Sequence, residues 1–332
     1  MKVLVTGGAG YIGSVVVEQL VQHGHEAWVY DNLSRGHRAA VVPPVRFVLG
    51  DLAERDKLGR TLVENQIEAV IHMAASSLVS ESVTDPHAYY QNNVVNGIAL
   101  LDAMLSAGVK RLVYSSTCAV YGVPATIPIT ESTPTNPINP YGEAKLAFER
   151  ALRWYDNAYG LRYASLRYFN AAGATEHCGE DHTPESHIIP LVLRVAAGQA
   201  DHVKIFGEDY PTPDKTCIRD YVHVVDLAEA HILALTAIEK ESCILNLGYG
   251  NGYSVAEVVE MARQVTGVNI KTESAQRRPG DPPVLIASAD QAMLNLGWQP
   301  RHSELDNIIA TAWRWHQAHP NGYARMDMKV SG

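Results

Sequence analysis

Tyr141-Gly142-Glu143-Ala144-Lys145 sets a phenol four residues before a primary amine. On a helix, residues i and i+4 share one face, and Pro140 suits a helix's first turn. A free tyrosine titrates near ~10 and is a poor base at neutral pH. Making it useful near pH ~7 takes about 4 kcal/mol of help for the phenolate. An ammonium ~4 Å away, at an effective dielectric of ~20, supplies about that much. With 16 tyrosines and nine lysines in 332 residues, chance alone yields about 0.4 such pairs, so the spacing needs company. Ser115-Ser116-Thr117 provides it, as three hydroxyls just past the apolar run Arg111–Tyr114. Open α/β sheets bind ligands at the carboxyl ends of their strands. A hydroxyl there can orient a substrate alcohol for proton transfer to the tyrosine.

A second group of residues suits a phosphate ligand. The apolar run Lys2–Thr6 enters Gly7-Gly8-Ala9-Gly10-Tyr11-Ile12-Gly13, with a helical pattern after it. Gly7 allows the tight turn, Gly10 lets the backbone approach a pyrophosphate, and Gly13 lets helix and strand pack closely. The helix N-terminus adds free N–H groups and a positive partial charge. Asp31 ends the next apolar run. A carboxylate there accepts both hydroxyls of an adenosine ribose and repels a 2′-phosphate, which favours NAD over NADP. Arg35 and Arg38 lie just beyond it. Asp51 and Leu52 close the third run, where an adenine would lie, though Asp51 also suits an N-cap.

These residues need a scaffold. Strand patterns at Lys2–Thr6, Ala27–Asp31, Arg46–Asp51, Ala69–Ala75, Arg111–Ser116 and Ala164–Phe169 alternate with helical patterns at Ser14–His23, Leu58–Asn65, Val94–Ala107 and Glu143–Tyr159. Such alternation predicts a doubly wound parallel sheet covered on both faces, an α/β fold of Rossmann type. After Asn170 the texture turns to loop: Gly, Pro, His and acidic residues crowd Ala172–Pro190, Gly207–Thr216 and Arg277–Pro283. Residues 1–169 are expected to bind the dinucleotide and 170–332 to form a smaller, interleaved C-terminal lobe that binds substrate. Part of 219–247, carrying helix and strand material, is expected to return to the first sheet.

Composition narrows the classes. The 332 residues are 46% hydrophobic and 19% charged, an ordinary globular balance, with a formal net charge of −9. Acidic chains repel phosphate backbones, so no nucleic-acid partner is expected. Cys118, Cys178, Cys217 and Cys243 are scattered, without a C-x-x-C pair, and read as reduced thiols in a cytoplasmic protein. Met1 and Lys2 pass directly into strand, so no signal peptide is expected, and no apolar run is long enough to span a membrane.

Together the glycine turn, Asp31, the hydroxyl strand end and Tyr141/Lys145 resemble the extended short-chain dehydrogenase/reductase family. Within it, the UDP-glucose 4-epimerases are similar along nearly the whole chain. The similar stretches are Val5–Gly13, Tyr30-Asp31-Asn32, Tyr89–Val94, Tyr114–Gly122, Asn139–Lys145, Leu166–Gly173, Ile205–Tyr210, Ile218–Asp226, Arg278–Asp281 and Thr311–Tyr323. The resemblance implies that Tyr141 is the base, Lys145 holds the nicotinamide ribose and Thr117 contacts the sugar hydroxyl. It also places Gly7, Gly10, Tyr11, Ile12, Gly13, Asp31, Asn32, Asp51, Leu52, Ala74, Ala75, Asn93, Ser115 and Tyr168 beside NAD. Dehydratases of this family carry an Asp-Glu pair after the threonine, and decarboxylases carry a Glu there. Thr117-Cys118-Ala119-Val120-Tyr121 has no carboxylate, which leaves oxidation and re-reduction, the chemistry of an epimerase. Rival readings are an epimerase for another nucleotide sugar, a dehydratase, and a non-catalytic NAD-sensing module. A sensor would need neither Tyr141, Lys145 nor Thr117.

For the UDP-sugar, the resemblance implies Phe169, Asn170, His187, Ile188, Val203, Phe206, Arg219, Arg278 and Asp281. Arg219 and Arg278 are the cations assigned to the two phosphates, because a guanidinium binds phosphate bidentately. Ser77 stands where some relatives carry Lys, and His187 where some carry Asn. Leu285 falls where relatives gate the sugar pocket with a small or large residue. His177, Cys178, His182 and His187 cluster with Glu180 and Asp181, but their spacing matches no common zinc pattern, so no metal is expected. The helices Val94–Ala107 and Glu143–Tyr159 resemble the pair that relatives join into an intersubunit four-helix bundle, which implies a homodimer.

Overall fold

The structure, a computed structural model, describes residues 1–278 and 281–323. Pro279 and Gly280 of the similar stretch Arg278–Asp281, and residues 324–332 of the expected second lobe, lie outside the described residues.

The chain opens with β1 (Lys2–Thr6), α1 (Tyr11–Gln22), β2 (Glu26–Asp31), β3 (Arg46–Leu49), α2 (Arg55–Glu64) and β4 (Ala69–His72). Two short helices, α3 (Val79–Thr84) and α4 (Pro86–Tyr90), run into a π turn at Gln91–Val95 and then α5 (Asn96–Ser106). Next come β5 (Arg111–Thr117), α6 (Pro140–Tyr159) and β6 (Arg162–Tyr168). The remaining elements are β7 (Asn170–Ala172), α7 (Ile188–Ala196), β8 (Val203–Phe206), β9 (Ile218–Arg219), β10 (Tyr221–His223), α8 (Val224–Ala237), β11 (Cys243–Leu247), β12 (Tyr253–Ser254), α9 (Val255–Thr266), β13 (Thr272–Ala275), β14 (Val284–Leu285), α10 (Asp290–Leu296) and α11 (Leu305–Ala318).

Seven strands form one sheet in the order β11-β6-β5-β4-β1-β2-β3, and every neighbouring pair is parallel. The period of two along each strand sends side chains to opposite faces. Val3 and Val5 join the core against α1 and α8, while Leu4 joins the core against α2 and α5. Ala27 and Val29 divide from Trp28 and Tyr30 in the same way. Both faces are dry, which is why these strands read as nearly continuous apolar runs. Each fully buried Leu or Val contributes about 1.5–3 kcal/mol.

The chain builds outward from β1 to β3, then crosses back to β4 and builds the other way. Between β1 and β4 the order reverses, and a crevice opens beyond the carboxyl ends of the two strands. Catalytic candidates sit one strand further along, where α6 crosses the end of β5. The start of α6 is well specified: Asn139 Oδ1 accepts from Gly142 N at 2.9 Å, and Pro140 takes the first helical position. Gly160 ends the helix in the left-handed region. Around α7, α9 and α11 a second core gathers Val192, Leu193, Val258, Val259, Ile308 and Ile309. A small apolar cluster of Val120, Tyr121, Ile129, Leu146, Phe169 and Ala287 joins segments from both halves of the chain.

Candidate active site

The glycine turn is shaped by close approach. Gly7 has φ +73°, and a Cβ on it would lie 2.5 Å from the Ala74 backbone nitrogen. A Cβ on Gly13 would strike the Gly7 carbonyl oxygen, whereas one on Gly10 would meet only that oxygen, at 3.3 Å. The Gly10 backbone is thus approachable while its neighbours are not. No side chain caps α1, which begins at Tyr11 and Ile12, so its first amides remain suited to an anion. The Tyr11 hydroxyl donates to Gly173 O at 2.6 Å, tying the turn to the second half of the chain.

Asp31 is buried, and its two oxygens accept from Ala9 N (3.0 Å) and Leu33 N (2.8 Å). Burial pushes its carboxyl up, against the two backbone hydrogen bonds. Asn32 donates to Asp51 Oδ2 at 2.7 Å, and Leu52 is buried in the core beneath them. Asp51 is not the N-cap of α2, a position held by Glu54; its Oδ1 accepts from Ala53 N instead. Asn93, 2% exposed, accepts from Ser76 N (2.8 Å) and donates to Ser76 O (2.9 Å). It thereby holds the segment Ala74-Ala75-Ser76 against the glycine turn. Cradle, helix N-terminus and strand-end carboxylate form a donor and acceptor set that fits NAD.

Tyr141 and Lys145 lie one turn apart on α6, both buried. The Lys145 ammonium donates to Ser115 O at 2.7 Å and stands 4.9 Å from the Tyr114 ring centre and 6.0 Å from that of Tyr141. Burial drives Lys145 down to about 7, with Glu149 pulling the other way. Burial also drives the Tyr141 phenol up, against a hydrogen bond from Thr117. The sequence argument balanced the phenol against the ammonium alone; in the folded chain desolvation is the larger effect on both groups.

The three hydroxyls at the end of β5 have different partners. Ser115 Oγ bonds His231 Nε2 at 2.9 Å, and Ser116 Oγ donates to Glu149 Oε1 at 2.6 Å. Thr117 lies beside Tyr141, and its hydroxyl accepts from Ala119 N at 3.1 Å. Beneath them Glu149 accepts from Ser165 (2.8 Å) and from Arg167 at both oxygens (3.0 and 2.5 Å). Arg167 continues to the Tyr121 hydroxyl at 2.9 Å. Sequence reasoning missed this buried network, although Glu149 stands one turn past Lys145 on the inner face of α6.

At the substrate end, Asn170 donates to Asp220 O at 3.0 Å. Arg219 donates to Asp281 Oδ1 at 2.5 Å, and Arg278 covers the Phe206 ring at 4.4 Å. Val203 points into the second core instead. Phe169 packs in the junction cluster, with Cys118 and Leu285 beside it, and Tyr168 lies near His231. Ile188 begins α7, while the His187 ring is turned onto Glu180 and Glu185. The loop before α7 folds back so that Glu180, His182, Glu185 and His187 present ligand-type atoms all within 4.8 Å of one another. Cys178 stays apart, with Sγ on Ala40 O, and Asp181 faces Tyr323 N.

The chain is similar to known proteins along nearly its whole length. A UDP-glucose 4-epimerase of Halalkalibacterium halodurans is 52% identical over 98% of both chains. A crystal structure of UDP-glucose 4-epimerase from Brucella ovis in complex with NAD superposes with a TM-score of 0.92, at 47% identity, over 94% of this chain and 97% of that one. The Bifidobacterium longum enzyme, solved with NAD+ and UDP, gives 0.93 at 38% identity over 97% and 100%. Residues 3–248 match a family model described as NAD dependent epimerase/dehydratase. With residues 3–248 matched by that model and relatives about half identical along nearly the whole length, the chain belongs to the NAD dependent epimerase/dehydratase family.

Proposed function

We propose that this protein is a UDP-glucose 4-epimerase, interconverting UDP-galactose and UDP-glucose. The observation that carries the reading is the meeting of Tyr141 and Lys145 on α6 with the end of β5, where Lys145 bonds Ser115 O at 2.7 Å, beside a segment Thr117–Tyr121 free of carboxylates. Thr117 orients the sugar 4-hydroxyl toward the phenolic oxygen. Tyr141 takes the hydroxyl proton and later returns it to the 4-keto oxygen. Bound NAD supplies a hydride acceptor that is regenerated within each turnover and a positive ring that favours the phenolate. Gly7, Gly10 and Gly13 would hold its pyrophosphate, Asp31 its adenosine ribose, and Lys145 the second ribose. Arg219, Arg278, Asn170 and Phe169, with the chain at His187 and Ile188, grip the UDP portion. Because they grip the nucleotide and not the ring, the oxidised sugar is free to turn its other face.

Two assays test this. Purified protein is given UDP-galactose without added NAD, and the product is separated; UDP-glucose is expected. Denatured protein should release NAD. Unchanged UDP-galactose, or NADP as the released nucleotide, overturns the reading. A broader sugar range also has support: Leu285 sits beside Phe169 and Cys118 and is smaller than a tyrosine, which leaves room for an N-acetyl group.

The protein is further inferred to act as a homodimer in the cytoplasm. Val95, Trp154 and Tyr159 are exposed around α5 and α6, an apolar content suited to a second copy. All four cysteines are free, and no helix among the described residues is long and apolar enough to cross a membrane.

A further inference from the structure

The loop between β7 and α7 gathers two imidazoles and two carboxylates around one point. His182 Nδ1 and His187 Nδ1 both face Glu180 Oε1, at 3.1 and 2.7 Å, and His187 Nδ1 is also 3.0 Å from Glu185 Oε1. Each Nδ1 carries at most one hydrogen, so His187 cannot donate fully to both carboxylates. Among the described residues Glu185 Oε2 is buried without a hydrogen-bond partner, on a side chain only 1% exposed, and lies 3.9 Å from His182 Nδ1. A buried, unpaired carboxylate oxygen is unfavourable and calls for an explanation. Hydrogen bonds within the cluster leave it unexplained, whereas a cation at the centre would satisfy all four side chains at once.

We propose that Glu180, His182, Glu185 and His187 form a binding site for one divalent transition-metal ion, with Zn2+ as the best match. Two imidazole nitrogens and two carboxylate oxygens are donors that zinc accepts, and four such ligands complete a closed, structural site. Bonds of about 2.0–2.2 Å put tetrahedral ligand atoms about 3.4 Å apart. Separations of 2.7, 3.0, 3.1 and 3.9 Å bracket that value, with the four ligand atoms all within 4.8 Å of one another. Calcium and magnesium are disfavoured because they want six or more oxygens. A thiolate ligand is excluded at Cys178, which is turned onto Ala40 O and driven up to about 12 by burial. The linear spacing hid the site: common zinc patterns describe ligands on helices and hairpins, and here an irregular loop folds back on itself.

The position gives the ion a role. His187 is the N-cap of α7, and the His182 ring meets Tyr11 edge-on at 6.0 Å. Tyr11 opens α1 at the glycine turn and bonds Gly173 O. The metal would therefore fasten the start of α7 to the loop that borders the cofactor cradle. It takes no part in the proton chemistry at Tyr141.

The test uses the full-length protein after dialysis against chelator. Cobalt(II) is titrated and followed by its visible absorption, and zinc is then added to displace it. About one equivalent per chain is expected, with a zinc-dependent rise in unfolding temperature. Glu185→Gln and His182→Gln should each weaken binding at least ~10-fold and abolish that rise, while Cys178→Ser should bind normally. If a variant proves poorly folded, X-ray absorption of zinc-loaded wild type decides, with four nitrogen or oxygen neighbours, imidazole among them, and no sulfur. Binding well below one equivalent, or variants that bind as wild type does, would mean an adventitious surface ion only and would overturn the site.

Discussion

Ser115 and Ser116 are held by His231 and Glu149, which leaves Thr117 as the strand-end hydroxyl for Tyr141. In the proposed mechanism, proton transfer rests on the phenolic oxygen. Tyr141→Phe should lower turnover of UDP-galactose by about 10² to 10⁴, with NAD and UDP affinity largely kept because the ring still packs. A tenth or more of wild-type turnover, measured where chemistry limits the rate, would remove Tyr141 from the mechanism. The left-handed turn at Gly7, the close approach at Gly13 and the strand-end place of Asp31 were legible in the sequence because each answers one local demand. Lys145 was less so. Its spacing from Tyr141 was visible, but its bond to Ser115 O and the burial that brings it to about 7 depend on β5 and α6 meeting in space.

Helix α6 does more than carry Tyr141 and Lys145, because one turn further on Glu149 anchors it to the sheet. Glu149 links Ser116 on β5 with Ser165 and Arg167 on β6. Breaking a buried ion pair by removing one partner costs about 3–5 kcal/mol, because the remaining charge is left uncompensated. Glu149→Gln should destabilise the protein by roughly that amount in urea melts, since Arg167 loses its counter-charge. A change under about 1 kcal/mol would mean that solvent reaches Arg167 and that the network is not closed. Period and composition located the central strands and α6 well, since both faces of the sheet are dry. They misjudged two places beside the glycine turn. The pattern Val94–Ala107 reads as plain helix, yet Gln91–Val95 is a π turn, whose extra residue swings Asn93 onto Ser76. The pattern Ala69–Ala75 reads as one strand, yet β4 stops at His72 and Ala74 packs against Gly7. An apolar run does not reveal where a chain leaves its sheet to meet a glycine turn.

Across the whole molecule, the reversal between β1 and β4 creates the crevice, and the late return of α8 and β11 to the sheet ties the two halves of the chain together. Association is expected to use the outer surface of α6, where Trp154 is 67% exposed. Trp154→Asp should shift the mass by light scattering from dimer to monomer near 36.3 kDa; a dimer unchanged at low micromolar concentration would place the interface elsewhere. That late return also buries histidines in neutral form. His231 on α8 donates from Nδ1 to Leu227 O at 2.7 Å, so its Nε2 is left to accept from Ser115. Burial lowers its pKa to about 4, and lowers those of His72 and His223 to about 3. An unfolded histidine titrates near ~6.5. Between pH ~6.5 and ~4 the unfolded chain therefore binds protons that the folded chain refuses, and stability falls as the pH falls. Each of these groups contributes a slope of about 1.4 kcal/mol per pH unit. Asp220 opposes them in part: burial raises its carboxyl to about 6, so its contribution is largest in acid and is lost as pH rises through that value. To isolate one term, His231→Gln keeps an amide that can bond Leu227 or Ser115 but cannot take up a proton. Urea-melt stability of wild type should drop faster than that of the variant from pH 6.5 to 4.5, by about one proton's slope. Parallel pH profiles would show that His231 is protonated in the folded protein and that its bond to Ser115 does not depend on the neutral ring.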